Sequence, residues 1–74
     1  MPIHHSIRSR RRELGLTQED LAARMEQYLP TIQWTWVTIS KIERGLRRVK
    51  AEEIAAFARA LECRVTTLLD PIPD

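Results

Sequence analysis

Thr35-Trp36-Val37-Thr38-Ile39-Ser40-Lys41-Ile42-Glu43-Arg44-Gly45 is the stretch on which the reading of this chain turns. Ile39 and Ile42 stand three positions apart, so a helix places both on one face and leaves Trp36, Val37, Thr38, Ser40 and Lys41 to point elsewhere. Thr35 offers a side-chain oxygen to the free N–H groups of the first turn, and Trp34 before it can close over Ile39 as a hydrophobic staple. Gly45 ends the helix, because glycine takes the left-handed backbone of a C-cap without steric cost. The result is a helix of about two and a half turns. A piece that short is not stable alone, so the rest of the chain must hold it out.

Upstream, Leu16-Thr17-Gln18-Glu19-Asp20-Leu21 reads as a helix start, with Thr17 as N-cap, Asp20 returning a hydrogen bond, and Leu16 and Leu21 as the staple. Glu19 and Asp20 also suit the positive end of the helix dipole. Leu21, Ala22, Met25 and either Tyr28 or Leu29 carry its buried face, until Pro30 disfavours helical geometry at Leu29. In the turn that follows, Ile32 and Trp34 are expected to fold back onto the core, the alternative being Trp34 as an aromatic platform for a base. Earlier still, Ile7, Arg11 and Leu14 share one stripe of a helix from Ser6 to Leu14, extended backward by Ile3 and stopped by Gly15. Arg8, Arg10 and Arg12 lie off that stripe and are expected in solvent.

Downstream of Gly45, Leu46-Arg47-Arg48-Val49-Lys50 is a basic loop. A helix from Ala51 to Leu61 turns Ile54, Phe57 or Ala58, and Leu61 inward, with Glu52 and Glu53 in its first turn. It has no evident N-cap, since Lys50 stands where Ser or Asp is expected. A last helical turn or two puts Val65, Leu68 and Leu69 on the core. Asp70-Pro71-Ile72-Pro73-Asp74 cannot continue a helix and is expected to be an extended tail.

At 74 residues the chain reads as one small domain near the lower limit for a single unstapled core. Cys63, the one cysteine, excludes an internal disulfide, and no ligand cluster suits a structural zinc. The thiol is best read as a small apolar residue, without the surroundings that activate one. No apolar run reaches membrane-spanning length, and Met-Pro-Ile-His-His lacks the layout of a signal peptide, so a cytoplasmic protein is expected. Charge is uneven: residues 1–50 carry ten Lys or Arg against five Asp or Glu, whereas 51–74 carry two against five. The basic part contains the presented helix, which suggests a polyanionic partner on that side.

Two short helices in succession, Thr17 to Leu29 and Thr35 to Arg44, the second polar on its outer face and flanked by arginines, are the layout of a helix-turn-helix. Four blocks occur in order: Arg11 with Leu14-Gly15-Leu16-Thr17-Gln18-Glu19-Asp20-Leu21-Ala22, then Thr38-Ile39-Ser40-Lys41-Ile42-Glu43-Arg44-Gly45, then Phe57-Ala58-Arg59-Ala60-Leu61, then Leu68-Leu69. On these blocks the sequence, from Ile7 to Leu69, resembles the lambda-repressor-like helix-turn-helix family of the Xre or Cro type. The expected fold is all-α, a compact five-helix bundle in one domain over residues 1–74, with the helix-turn-helix at about 17–45 and a Pro-containing tail at 70–74.

The resemblance implies a sequence-specific regulator of transcription that binds double-stranded DNA, acts as a repressor by occupying its operator, and needs no cofactor or metal. Gln18, with Thr17 beside it, would meet a phosphate or the nearest base at the start of its helix. Thr35 to Lys41 would be the recognition helix. Trp36, Val37 and Lys41 would be aimed at base edges, with Thr38 and Ser40 nearer the backbone or packed, while Arg44, Arg47 and Arg48 would clamp phosphates. Arg11 and Glu43 would form an internal ion pair. Members commonly bind as homodimers, for which Val65 to Ile72 is the leading contact.

Two features depart from the family pattern. The connection from Glu26 to Trp34 is longer than the usual tight turn, and Trp36 stands where smaller or amide side chains are common. Trp36 has one donor and a large apolar face, so it either presses on thymine methyls or sugars, or packs against the long turn. The rival function is a protein-interaction module, such as an antitoxin or adaptor, with Trp34 and Trp36 as interface anchors. An enzyme is not expected, because there is no phosphate-cradling glycine loop, no metal-ligand spacing, and neither histidine can be placed beside a nucleophile.

Overall fold

Apolar periodicity, two capping threonines and two stop glycines translate into helices with short joints. The computed structural model describes residues 2–69, and among these it holds five α-helices and no strand. They are α1 (Ile3–Glu13), α2 (Gln18–Tyr28), α3 (Trp36–Glu43), α4 (Ala51–Ala60) and α5 (Val65–Leu69). α3 packs on both α2 and α1, α4 packs on α2 and α5, and α5 returns to α1. The core is one cluster in which Ile7, Leu21, Met25, Ile39, Ile42, Phe57, Leu61 and Leu68 are fully buried. α1 begins at Ile3, the backward extension of the stripe expected before Ser6, and Ile3 packs against the core.

Three helices end in the same Schellman geometry. After α1, the Gly15 N–H bonds the Arg12 carbonyl at 3.0 Å and the Leu16 N–H bonds the Arg11 carbonyl at 3.1 Å. After α3, Gly45 and Leu46 repeat the pattern on Ile42 and Lys41 at 3.0 and 2.8 Å. Gly15 sits at φ +70°, and a Cβ added there would meet nothing within 4 Å. Gly15→Ala is therefore expected to cost about 1 kcal/mol of backbone strain alone, read as a lowered urea midpoint with unchanged slope. The third stop has no glycine. Glu62 takes φ 55° after α4, while the Cys63 N–H reaches the Ala58 carbonyl at 2.9 Å.

What holds Glu62 there corrects one expectation for α1. Arg10 is not in free solvent: its Nε–H donates to the Leu61 carbonyl at 2.9 Å and its Nη2 to the Glu62 carbonyl at 3.2 Å. Arg24 adds Nη1 bonds of 2.9 Å to the Ala60 carbonyl and to the Glu62 carboxylate. Two arginines from α1 and α2 thus fasten the end of α4. Cys63 is half-buried against the core beside them, and burial pushes its thiol up, against the opposing pull of Arg10. That is the environment of an inert thiol.

The connection between α2 and α3 runs over residues 29–35. Trp34 is buried and meets Phe57 edge to face, with ring centroids 5.6 Å apart, so it is a core residue rather than a platform. Its indole N–H donates to the Leu29 carbonyl at 3.1 Å, and its backbone N–H to the Glu26 carboxylate at 2.9 Å. Leu29 packs against the core from outside the helix, and Tyr28 stays exposed under the Arg59 guanidinium. A long turn is thus pinned at both ends by one tryptophan.

At α4 Glu52 and Glu53 lie in the first turn as expected, but Glu53 is fully buried, and its carboxylate accepts the Lys50 N–H at 2.9 Å. The helix is capped from its third residue, which is why no Ser or Asp is needed before it. α5 corrects an expectation, for of the three residues expected on the core only Leu68 is buried, whereas Val65 and Leu69 are 38% and 49% exposed. A helix of five residues has room for one inward side chain. The tail expected at 70–74 lies outside the described residues.

Candidate nucleic-acid interface

The presented face begins at Thr35, whose hydroxyl oxygen accepts the Thr38 N–H at 3.4 Å and starts α3. With Ile39 and Ile42 fully buried, α3 turns its other side outward. Trp36 is 52% exposed and Val37 41% exposed, Lys41 is exposed, and Thr38 and Ser40 are half-buried. Trp36 borders a shallow recess with Thr17, Gln18 and Glu19, so its neighbours there are the first turn of α2.

That turn is capped on both sides. The Asp20 N–H donates to Thr17 Oγ1 at 3.0 Å and the Thr17 N–H to Asp20 Oδ2 at 2.9 Å. The two bonds to Thr17 hold the Asp20 carboxyl below its usual range. Gln18 and Glu19 keep the backbone N–H groups that no helical carbonyl can reach. The Gln18 side chain is drawn inward, its amide donating to Glu43 Oε1 at 3.3 Å.

Glu43 receives more than Gln18. Arg11 Nε donates to its Oε2 at 2.6 Å and Arg11 Nη2 to its Oε1 at 3.0 Å, both side chains being buried. The same guanidinium donates through Nη1 to the Leu16 carbonyl at 2.7 Å. One arginine of α1 therefore fixes both the last turn of α3 and the loop into α2. Arg44, next to Glu43, is exposed and faces a recess shared with Arg8 and Arg12 of α1. Both are exposed, as their place off the apolar stripe predicts, and the fold sets them on the recess that α3 borders.

The basic loop divides. Arg48 is exposed, with no ion pair among the described residues. Arg47, expected at a phosphate, is committed inward: Nη1 and Nη2 meet the two Glu53 oxygens at 3.0 and 2.8 Å, and the guanidinium lies 5.5 Å from the Trp34 ring. Burial works to raise the Glu53 carboxyl, but the Arg47 bonds and the Lys50 N–H outweigh it and hold the group below its ordinary value. The sequence showed Arg47 only as one more cation in a basic run, and gave no sign that Glu53 was buried beneath it.

Among the described residues no group of three or more His, Cys, Asp or Glu could hold a metal, and no helix is long and apolar enough to cross a membrane. Five helices with a helix-turn-helix at their centre, and an open face on its second helix, define a domain of the lambda-repressor-like type. The chain belongs to the family described as a helix-turn-helix domain, whose pattern matches residues 5–70. It is similar to a solved structure described as the P22 c2 repressor protein in complex with synthetic operator 9T in the presence of Tl+, at 26% identity over 92% of each chain, with a TM-score of 0.74. No curated protein matches.

Proposed function

We propose that this chain is a sequence-specific transcriptional regulator that binds double-stranded DNA and represses by occupying its operator. The observation that carries the proposal is the outward face of α3, where Trp36, Val37 and Lys41 stand clear of the core, with Arg44 and Arg48 exposed in the residues that follow it. A similar fold was solved on operator DNA, which supports the same use of this face. Arginines on phosphates supply most of the affinity, and α3 supplies the discrimination. Lys41 suits the guanine O6 and N7 acceptors, and Trp36 and Val37 suit thymine methyls. Val65 and Leu69, four positions apart and exposed on α5, extend toward the proposed homodimer contact, whose remainder at residues 70–72 lies outside the described residues. The proposed setting is the cytoplasm, with no cofactor.

Selection of bound sequences from random duplex DNA, followed by binding across a salt series, tests this reading. Lys41→Ala is expected to lose about 1–3 kcal/mol of preference for the selected sequence. Arg48→Ala is expected to weaken selected and random duplexes alike and to flatten the log-log salt slope by about 0.9. Retention of no duplex at low salt would remove the DNA reading and leave Trp36 and Val37 as anchors for a protein partner.

A further inference from the structure

Half of the arginines are claimed by the fold. Arg10 holds the end of α4, Arg11 holds Glu43, Arg24 holds Glu62, Arg47 holds Glu53, and Arg59 covers the Tyr28 ring. Arg8, Arg12 and Arg44 have no carboxylate partner among the described residues, yet they border one recess. Gln18 and Ser40 stand on its wall, and the buried Arg11–Glu43 pair lies beneath. Glu43 is the one carboxylate bordering the recess against four guanidiniums, and both its oxygens are already taken by Arg11 and Gln18. Nothing within the recess offsets the outer three. Such a concave, one-signed surface concentrates anions.

Arg8 and Arg12 are four apart on α1 and therefore stack on one face, and Ser40 and Arg44 do the same at the end of α3. Gln18 borders both this recess and the one beside Trp36. The two recesses therefore flank Gln18, one bordered by Trp36 of α3 and the other by α1.

We infer that Arg8 and Arg12, together with Arg44, take a phosphodiester of the DNA backbone, so that the footprint extends beyond the helix-turn-helix onto α1. This rests on the DNA-binding reading and adds to it a second use for α1 besides packing. Guanidinium forks from α1 and from the end of α3, around a recess that Ser40 also lines, suit a phosphate's several acceptor oxygens.

The test is binding of a mixed random-sequence duplex over a salt series by the wild type, by Arg8→Gln/Arg12→Gln, and by Arg64→Gln as a control on an exposed arginine elsewhere. Glutamine keeps the helix propensity and, among the described residues, neither Arg8 nor Arg12 has an ion-pair partner to lose, so the urea midpoint of the double variant is expected to stay at the wild-type value. Its salt slope is expected to be shallower by about 0.9 for each phosphate that is no longer neutralised, with Arg64→Gln unchanged and Arg8→Lys/Arg12→Lys close to wild type. A double-variant slope equal to that of the wild type, or a control that flattens as much as the double variant, overturns the inference while leaving the DNA reading in place. A wild type that binds the duplex with no salt dependence overturns both.

Discussion

Glu43→Ala is expected to lower the stability of the domain by about 3–5 kcal/mol, the cost of stranding one member of a buried ion pair. Glu43 accepts three hydrogen bonds, at 2.6 and 3.0 Å from Arg11 and 3.3 Å from Gln18, with its side chain 3% exposed. Without it the Arg11 guanidinium stays buried with only the Leu16 carbonyl to meet it. Small domains have about 5–15 kcal/mol in total, so a large share of the molecules would unfold or melt near room temperature. Arg11→Met/Glu43→Leu removes both charges and is expected to recover most of the loss, because neither partner is then left unpaired. Urea unfolding of the two single variants and the double variant gives the coupling directly. Should Glu43→Ala cost less than about 1 kcal/mol, the pair is not what ties α1 to α3.

That pair also shows how far the sequence could be read. An arginine in the middle of an apolar stripe asks for a partner, and the resemblance pointed to Glu43. The caps and stops were equally legible, because Thr17, Thr35, Gly15 and Gly45 act within a few residues of themselves. Trp34 was legible as core from its place in a turn between two helices. Long-range use of charge was not. Arg10, Arg11 and Arg12 are consecutive, and only the fold sends the first to Leu61, the second to Glu43 and the third to an open recess. One clue to the recess existed: pinning Arg11 to Glu43 places its helical neighbours Arg8 and Arg12 close to Arg44. The exposure of Val65 and Leu69 was hidden for a simpler reason, since apolar residues in a one-turn helix carry no period from which to pick the inward one.

Arg47 carries the second large effect, and here the acid dependence separates structure from DNA contact. In the wild type the Glu53 carboxyl is held below its ordinary value of 4.5 by Arg47 and the Lys50 N–H, against the upward push of burial. A depressed carboxyl contributes stability that is complete above the unfolded value and is lost as pH falls through the folded one. Arg47→Ala leaves Glu53 fully buried with the Lys50 N–H alone, at an expected cost of about 3 kcal/mol near neutral pH. Burial then dominates and lifts the folded value above the unfolded one, so the sign reverses. The variant is expected to gain stability on acidification from neutral pH, over a range where this group leaves the wild type unchanged. Glu53→Gln removes the titrating group and is expected to abolish the group's share of the pH dependence, while Arg47, one-quarter exposed and stacked on Trp34, keeps access to water. Urea midpoints at a series of pH values check all three. An Arg47→Ala protein with wild-type stability and a wild-type acid profile, but weakened binding to duplex DNA, would return Arg47 to the phosphate backbone. Loss of helicity and loss of DNA binding together would instead place it in the fold, holding Trp34 and the start of α4.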